Sequence, residues 1–178
     1  MERVDEKTLK PGGGGGKLKA VSTNDPKHPK VVEFTCDFRD ANGLGGFTKW
    51  FPTGTVNIKK HAAIRFFVRS NSGTSCWFDI GGSTPRKDKK NNAFRMGEFA
   101  ATEHWTEVVV PLEKIRRHNV TYYDKDKREH VVVHPGGDPP DDEDCLDFNR
   151  ISFGVSVNGR GSSVTAHLQF DDLALVLK

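Results

Sequence analysis

Trp105-Thr-Glu-Val-Val-Val-Pro-Leu112, Ile151-Ser-Phe-Gly-Val-Ser-Val157 and Ala166-His-Leu-Gln-Phe-Asp-Asp-Leu-Ala-Leu-Val-Leu177 decide the fold class. Each stretch alternates apolar and polar residues, the period of a strand with one face buried. In the last stretch Asp171-Asp172 breaks the alternation, which marks a bulge or a metal site.

The same pattern extends upstream. Val31–Phe38, Phe47–Phe51, Thr55–Lys59, Ala62–Arg69, Ser75–Ile80 and Ala93–Phe99 read as strands, separated by turn-rich segments such as Arg39–Gly46 and Asn71-Ser-Gly73. Glu113–Arg117 reads as one helical turn, and Asn119–Asp147 as an insert with a hairpin formed by Thr121-Tyr-Tyr123 and His130–Val133. No 3.6-residue period is sustained and no segment repeats. The expectation is an all-β chain, an antiparallel two-sheet β-sandwich of jelly-roll type.

Residues 1–30 carry five consecutive glycines, Gly12–Gly16, flanked by Lys7, Lys10, Lys17 and Lys19. Such a stretch reads as a flexible arm that docks on a partner, leaving residues 31–178 as the sandwich. The net charge of +3 is too small for nucleic-acid binding, and no apolar run is long enough to span a membrane. Met1–Lys7 has no apolar core of secretory type, so the expectation is an intracellular protein or a piece of a longer secreted one. Cys36, Cys76 and Cys145 form no C-x-x-C pair, and the first two read as buried thiols. The six carboxylates of Asp138–Asp147 lack EF-hand spacing and read as a solvated loop.

The Trp-led strand ending in Pro111, the Ile151-Ser-Phe-Gly154 strand and the final strand with Asp171-Asp172-Leu173 resemble galactose-binding-like β-sandwiches. Two groups look similar: carbohydrate-binding modules of the family 11 type, and the complex I intermediate-associated protein family. The first resemblance implies glycan or polysaccharide binding without catalysis. The second implies a protein–protein scaffold, one subunit of a larger assembly. In related modules a structural Ca2+ joins the first and last strands, which points here to Asp171 with Glu33 or Asp37. Otherwise Asp171 caps a bulge.

Glycan recognition needs a flat aromatic ring and planar polar groups on one outward face. Alternation offers Arg65, Phe67, Arg69, Trp77 and Asp79 for that face, with Ser152, Ser156, His167 and Gln169 from the late strands. If the faces are inverted, Trp77 and Phe67 are core. Trp50, beside a glycine-rich loop, is a second platform or a buried ring. Trp105 reads as structural, with Val108 and Val110 buried behind it. No nucleophile elbow, zinc-protease motif or P-loop is present, and the seven histidines are scattered. Asn119-Val-Thr121 is a glycosylation sequon, relevant only on a secretory route.

Overall fold

The structure is a computed structural model that describes residues 9–11, 16–37, 44–52, 55–70, 75–82, 86–88, 90, 92–142, 144, 148–156 and 165–178. Residues 12–15, the loop 39–43, the turn 71–73 and Cys145 lie outside the described residues.

The strands are β1 (Leu9–Pro11), β2 (Lys17–Ser22), β3 (Lys30–Asp37), β4 (Leu44–Trp50), β5 (His61–Ser70), β6 (Ser75–Gly82), β7 (Ala93–Ala100), β8 (Thr106–Pro111), β9 (Arg116–Arg117), β10 (Val120–Asp124), β11 (Glu129–His134), β12 (Phe148–Ser156) and β13 (Thr165–Leu177). A six-stranded sheet runs β1-β4-β12-β6-β7-β9 and a five-stranded sheet runs β2-β3-β13-β5-β8, with β10-β11 a separate hairpin. All pairings are antiparallel. The expected sandwich is the observed one.

The core follows from the alternation. Phe34, Ile64, Phe66, Val68, Leu168 and Phe170 point inward from the five-stranded sheet, and Phe78, Ile80, Phe94, Ile151, Phe153 and Val155 from the six-stranded one. Cys36 and Cys76 are buried free thiols, as expected. Asp171-Asp172 is a bulge: the register against β5 shifts between Asp171 and Ala174, and Asp172 adopts a φ of 53°.

Three expectations are corrected. First, the described part of residues 1–30 is not detached from the sandwich. β1 pairs with β4, and β2 pairs with β3, so this segment supplies an edge strand to each sheet. The Lys/Gly composition hid an edge strand in which Leu18 packs against the core between exposed Lys17 and Lys19. Gly16 passes so close to Phe34 that a Cβ there would sit 2.1 Å from the ring. Residues 9–11 and 17–22 are therefore strands of the sandwich.

Second, 55–59 is a turn. The Asn57 carbonyl accepts from the amides of Lys60 and His61, and its side chain from Lys59 N at 2.8 Å.

Third, the acidic run is not simply solvated. Arg117, fully buried over the Phe94 ring, forks onto Asp144 at 2.7 and 3.1 Å and reaches Asp138 at 3.1 Å. Arg86 binds Asp88, Asp141 and Asp144 at 2.8–2.9 Å. Two arginines distant in sequence thus tie the loop down, a partnership that local spacing does not encode.

Two outcomes check this description. Arg117→Met should destabilise by about 3–5 kcal/mol in urea denaturation, because Asp144 is left buried with half its charge partners gone; Lys59→Met, whose partner Asp142 is exposed, should cost under about 1 kcal/mol. Gly16→Ala should cost about 1–3 kcal/mol by overpacking Phe34, whereas a detached arm would show no change.

Candidate functional site

The outer face of the six-stranded sheet is organised in rows. One runs Thr48, Ser152, Asp79, Arg95, Arg116; the next runs Gly46, Gly154, Trp77, Glu98. Glycines at 46 and 154 leave the strip beside Trp77 free of side chains that would crowd the indole. The Arg95 guanidinium lies 4.9 Å from the Trp77 ring centroid and forks onto Asp79 through Nε at 2.8 Å and Nη2 at 3.1 Å. His118 Nε2 lies 3.2 Å from the same carboxylate. Thr48 and Ser152 share a hydroxyl–hydroxyl bond of 2.9 Å.

Burial alone would raise the Asp79 carboxyl, but the hydrogen bonds from His118 and Arg95 hold it below the usual carboxylate range. The result is a half-exposed aromatic ring flanked by a fixed anion, a planar cation, an imidazole and two hydroxyls. Trp77 Nε1 is buried without a hydrogen-bond partner among the described residues, so one edge of the indole is tucked into the sheet.

The outer face of the five-stranded sheet is built differently. Arg65, Phe67 and Arg69 from β5 stand beside Asp171, Gln169 and His167 from β13, with Glu33 opposite Gln169 on β3. Its aromatic rings are covered by the chain itself. His28, buried in the segment between β2 and β3, stacks on Trp105 at 4.1 Å, contacts Phe67 at 5.1 Å, and bonds Asp171 at 2.8 Å. Arg65 pairs with Asp172 at 3.1 Å. Trp105 is structural, as expected, and Val108 and Val110 are buried.

Trp77, Arg65 and Arg69 do not share one face, contrary to expectation. Alternation gives the inward and outward sides of a strand but not the sheet it joins. β6 lies in one sheet and β5 in the other, so Trp77 and Asp79 look away from Arg65, Phe67, Arg69, His167 and Gln169. Trp50 and Ser156 lie in β4 and β12, with side chains outside the described residues.

The expected calcium set does not converge either. Glu33 is held by Lys19 at 2.7 Å, Gln169 at 2.9 Å and His167 at 2.6 Å, while Asp171 is held by His28. Asp37 pairs with Thr165, six residues along β13 from Asp171, about 20 Å away in an extended strand. Asp171 instead steadies the bulge by accepting from Asp172 N at 2.8 Å. Sequence reasoning missed Arg95, His118 and Thr48. The first two lie on β7 and just after β9, and only the tertiary pairing brings them to Asp79.

No protein-family model matches the chain, and no curated protein matches it by sequence. Solved structures do. The fold is a β-sandwich of the kind seen in carbohydrate-binding modules. The family 11 carbohydrate-binding module of a cellulosomal cellulase of Clostridium thermocellum matches at TM-score 0.62 and 16% identity, over 96% of this chain and 86% of that one. The Clostridium thermocellum family 11 module in complex with a β-1,3-1,4-mixed-linked tetrasaccharide matches at TM-score 0.63 and 15% identity, over 98% and 94%. The CBM22-GH10 modules of a Clostridium thermocellum endo-1,4-β-D-xylanase complexed with xylohexaose match at 0.59 and 11%, over 98% of this chain and 27% of that one. At these identities the likeness is one of fold.

The carboxylate of Glu33 gives this region a pH signature. Burial opposes its ionisation, but bonds from Lys19, Gln169 and His167 prevail and lower it from 4.5 to about 2. Its stabilisation is therefore fully present above pH 4.5 and is lost as pH falls toward 2. Glu33→Gln should cost about 2 kcal/mol at pH 7. Denaturation at stepped pH should show that gap closing between pH 4.5 and 2; a gap that widens on acidification would contradict the arrangement.

Proposed function

We propose that the protein is a non-catalytic glycan-binding module whose ligand lies on the outer face of the six-stranded sheet. The observation that carries this is Trp77 beside the Asp79–Arg95–His118 cluster. An indole offers its face to the C–H side of a pyranose, and forked polar groups next to it meet vicinal hydroxyls. Arg95 Nη1 has no partner among the described residues and is available to a hydroxyl. Each sheet has an arginine over its tryptophan, Arg95 over Trp77 and Arg69 over Trp105, but on the opposite sheet His28 also stacks on Trp105 and contacts Phe67.

The fold neighbours guide the choice of ligand. One was solved with a β-1,3-1,4-mixed-linked tetrasaccharide and another with xylohexaose. A β-linked glucan or xylan chain laid across β4, β12, β6 and β7 would pass Thr48, Ser152, Asp79 and Arg95 in turn. The scaffold reading, implied by the second family resemblance, drew part of its support from an N-terminal arm free to dock elsewhere, and β1 and β2 are instead strands of the two sheets.

Calorimetry with mixed-linkage β-glucan and xylohexaose tests the reading. Binding should be saturable to at least one of them. Trp77→Ala should weaken it by about 2 kcal/mol, roughly thirtyfold, with the fold retained. Trp77→Phe should keep most of the affinity without loss of stability, since it removes a buried N–H that has no partner. Trp77→Ala binding as tightly as the parent would remove the site.

A further inference from the structure

Arg69 closes on no carboxylate among the described residues, and neither does Arg116, which donates to the Glu113 and Ile115 carbonyls. Arg65, Arg86, Arg95 and Arg117 each close on a carboxylate. Arg69 has no acidic partner among the described residues; its Nε donates to Gln169 Oε1 at 2.7 Å, and its guanidinium lies 4.8 Å from the Trp105 ring centroid. The orientation of Gln169 is fixed from behind. Its Nε2 donates to Glu33 at 2.9 Å, so the amide oxygen must face Arg69. The guanidinium is thus held in position, with no partner for either terminal nitrogen among the described residues. They border a cavity of about 240 Å3 lined by Arg69, Ser70, Glu103, His167 and Gln169.

A partly desolvated, oriented cation with no carboxylate bonded to it among the described residues is a site for an anion, and the planar fork matches a carboxylate in two-point contact. The other lining groups narrow the ligand. Glu103 disfavours a polyanion and offers a partner for hydroxyls. A volume below the roughly 300–1,000 Å3 of drug-sized pockets suits one sugar ring. We propose that this cleft is a second ligand site, on the sheet opposite Trp77, that takes the carboxylate of a uronic acid residue through Arg69. This site stands apart from the proposed glycan face and shares no residue with it.

Nitrogen–proton NMR titration of the whole protein with D-glucuronate, D-glucose and inorganic sulfate tests the proposal. Glucuronate should give saturable shifts at Arg69 Nε–H and at the amides of Ser70, Glu103 and Gln169. Glucose should give none, and sulfate at most weak ones. Arg69→Lys keeps the charge but loses the fork and should bind glucuronate at least tenfold more weakly; Trp77→Ala should bind it unchanged. The proposal is overturned if glucuronate leaves the parent Arg69 signal unmoved, if sulfate matches glucuronate, or if Arg69→Lys binds as the parent does. Should Arg69→Lys fail to fold, the titration of the parent protein decides alone.

Discussion

Everything on the two outer faces depends on how the phenylalanines meet between them. Phe66 on β5 stacks against Phe78 on β6 at 5.8 Å and meets Phe153 on β12 edge-on at 4.9 Å, while Phe153 reaches Phe170 on β13 at 4.8 Å. These contacts join the central strands of both sheets. Each pair contributes about 0.5–1.5 kcal/mol beyond its buried area. Their larger consequence is register. Side chains in a strand alternate, so fixing Phe78 inward fixes Trp77 and Asp79 outward, and fixing Phe66 inward does the same for Phe67 and Arg65. A one-residue slip of β6 would bury Asp79 and expose Phe78.

That constraint explains what was legible in the sequence. Period-2 patterning gave the all-β class, most strands and the outward position of Trp77, Asp79, Arg69, His167 and Gln169. It did not say which outward residues are neighbours, since sheet membership is a long-range property. Arg69 and Trp77 looked like one site and stand on opposite faces. Thr55–Lys59 alternated like a strand, yet the local hydrogen bonds of Asn57 made a turn. Residues 17–22 pair with β3 as an edge strand, but lysines and the adjoining glycines gave them the composition of a linker. Arg86 and Arg117 lie more than 20 residues from the carboxylates of Asp141 and Asp144 that they bind, and no local rule foretells such a pair.

The two faces also differ in what their polar groups do. On the five-stranded sheet Lys19, Glu33, Gln169 and Arg69 form one chain of contacts, and His28 closes over Phe67 and Trp105. Most of that chemistry is spent within the molecule, and the terminal nitrogens of Arg69 have no partner among the described residues. On the six-stranded sheet the polar groups cluster around a half-exposed indole. One fold thus carries two polar faces, and the one around Trp77 is the face we propose for an outside partner.

The most direct test of this account is to map, by backbone amide shifts, which sheet responds to a β-1,3-1,4-linked tetrasaccharide. The account predicts saturable shifts on β4, β6, β7 and β12 around Trp77, Asp79 and Ser152, with β3, β5 and β13 unmoved. Shifts confined to β3, β5 and β13, or spread evenly over both sheets, would contradict it.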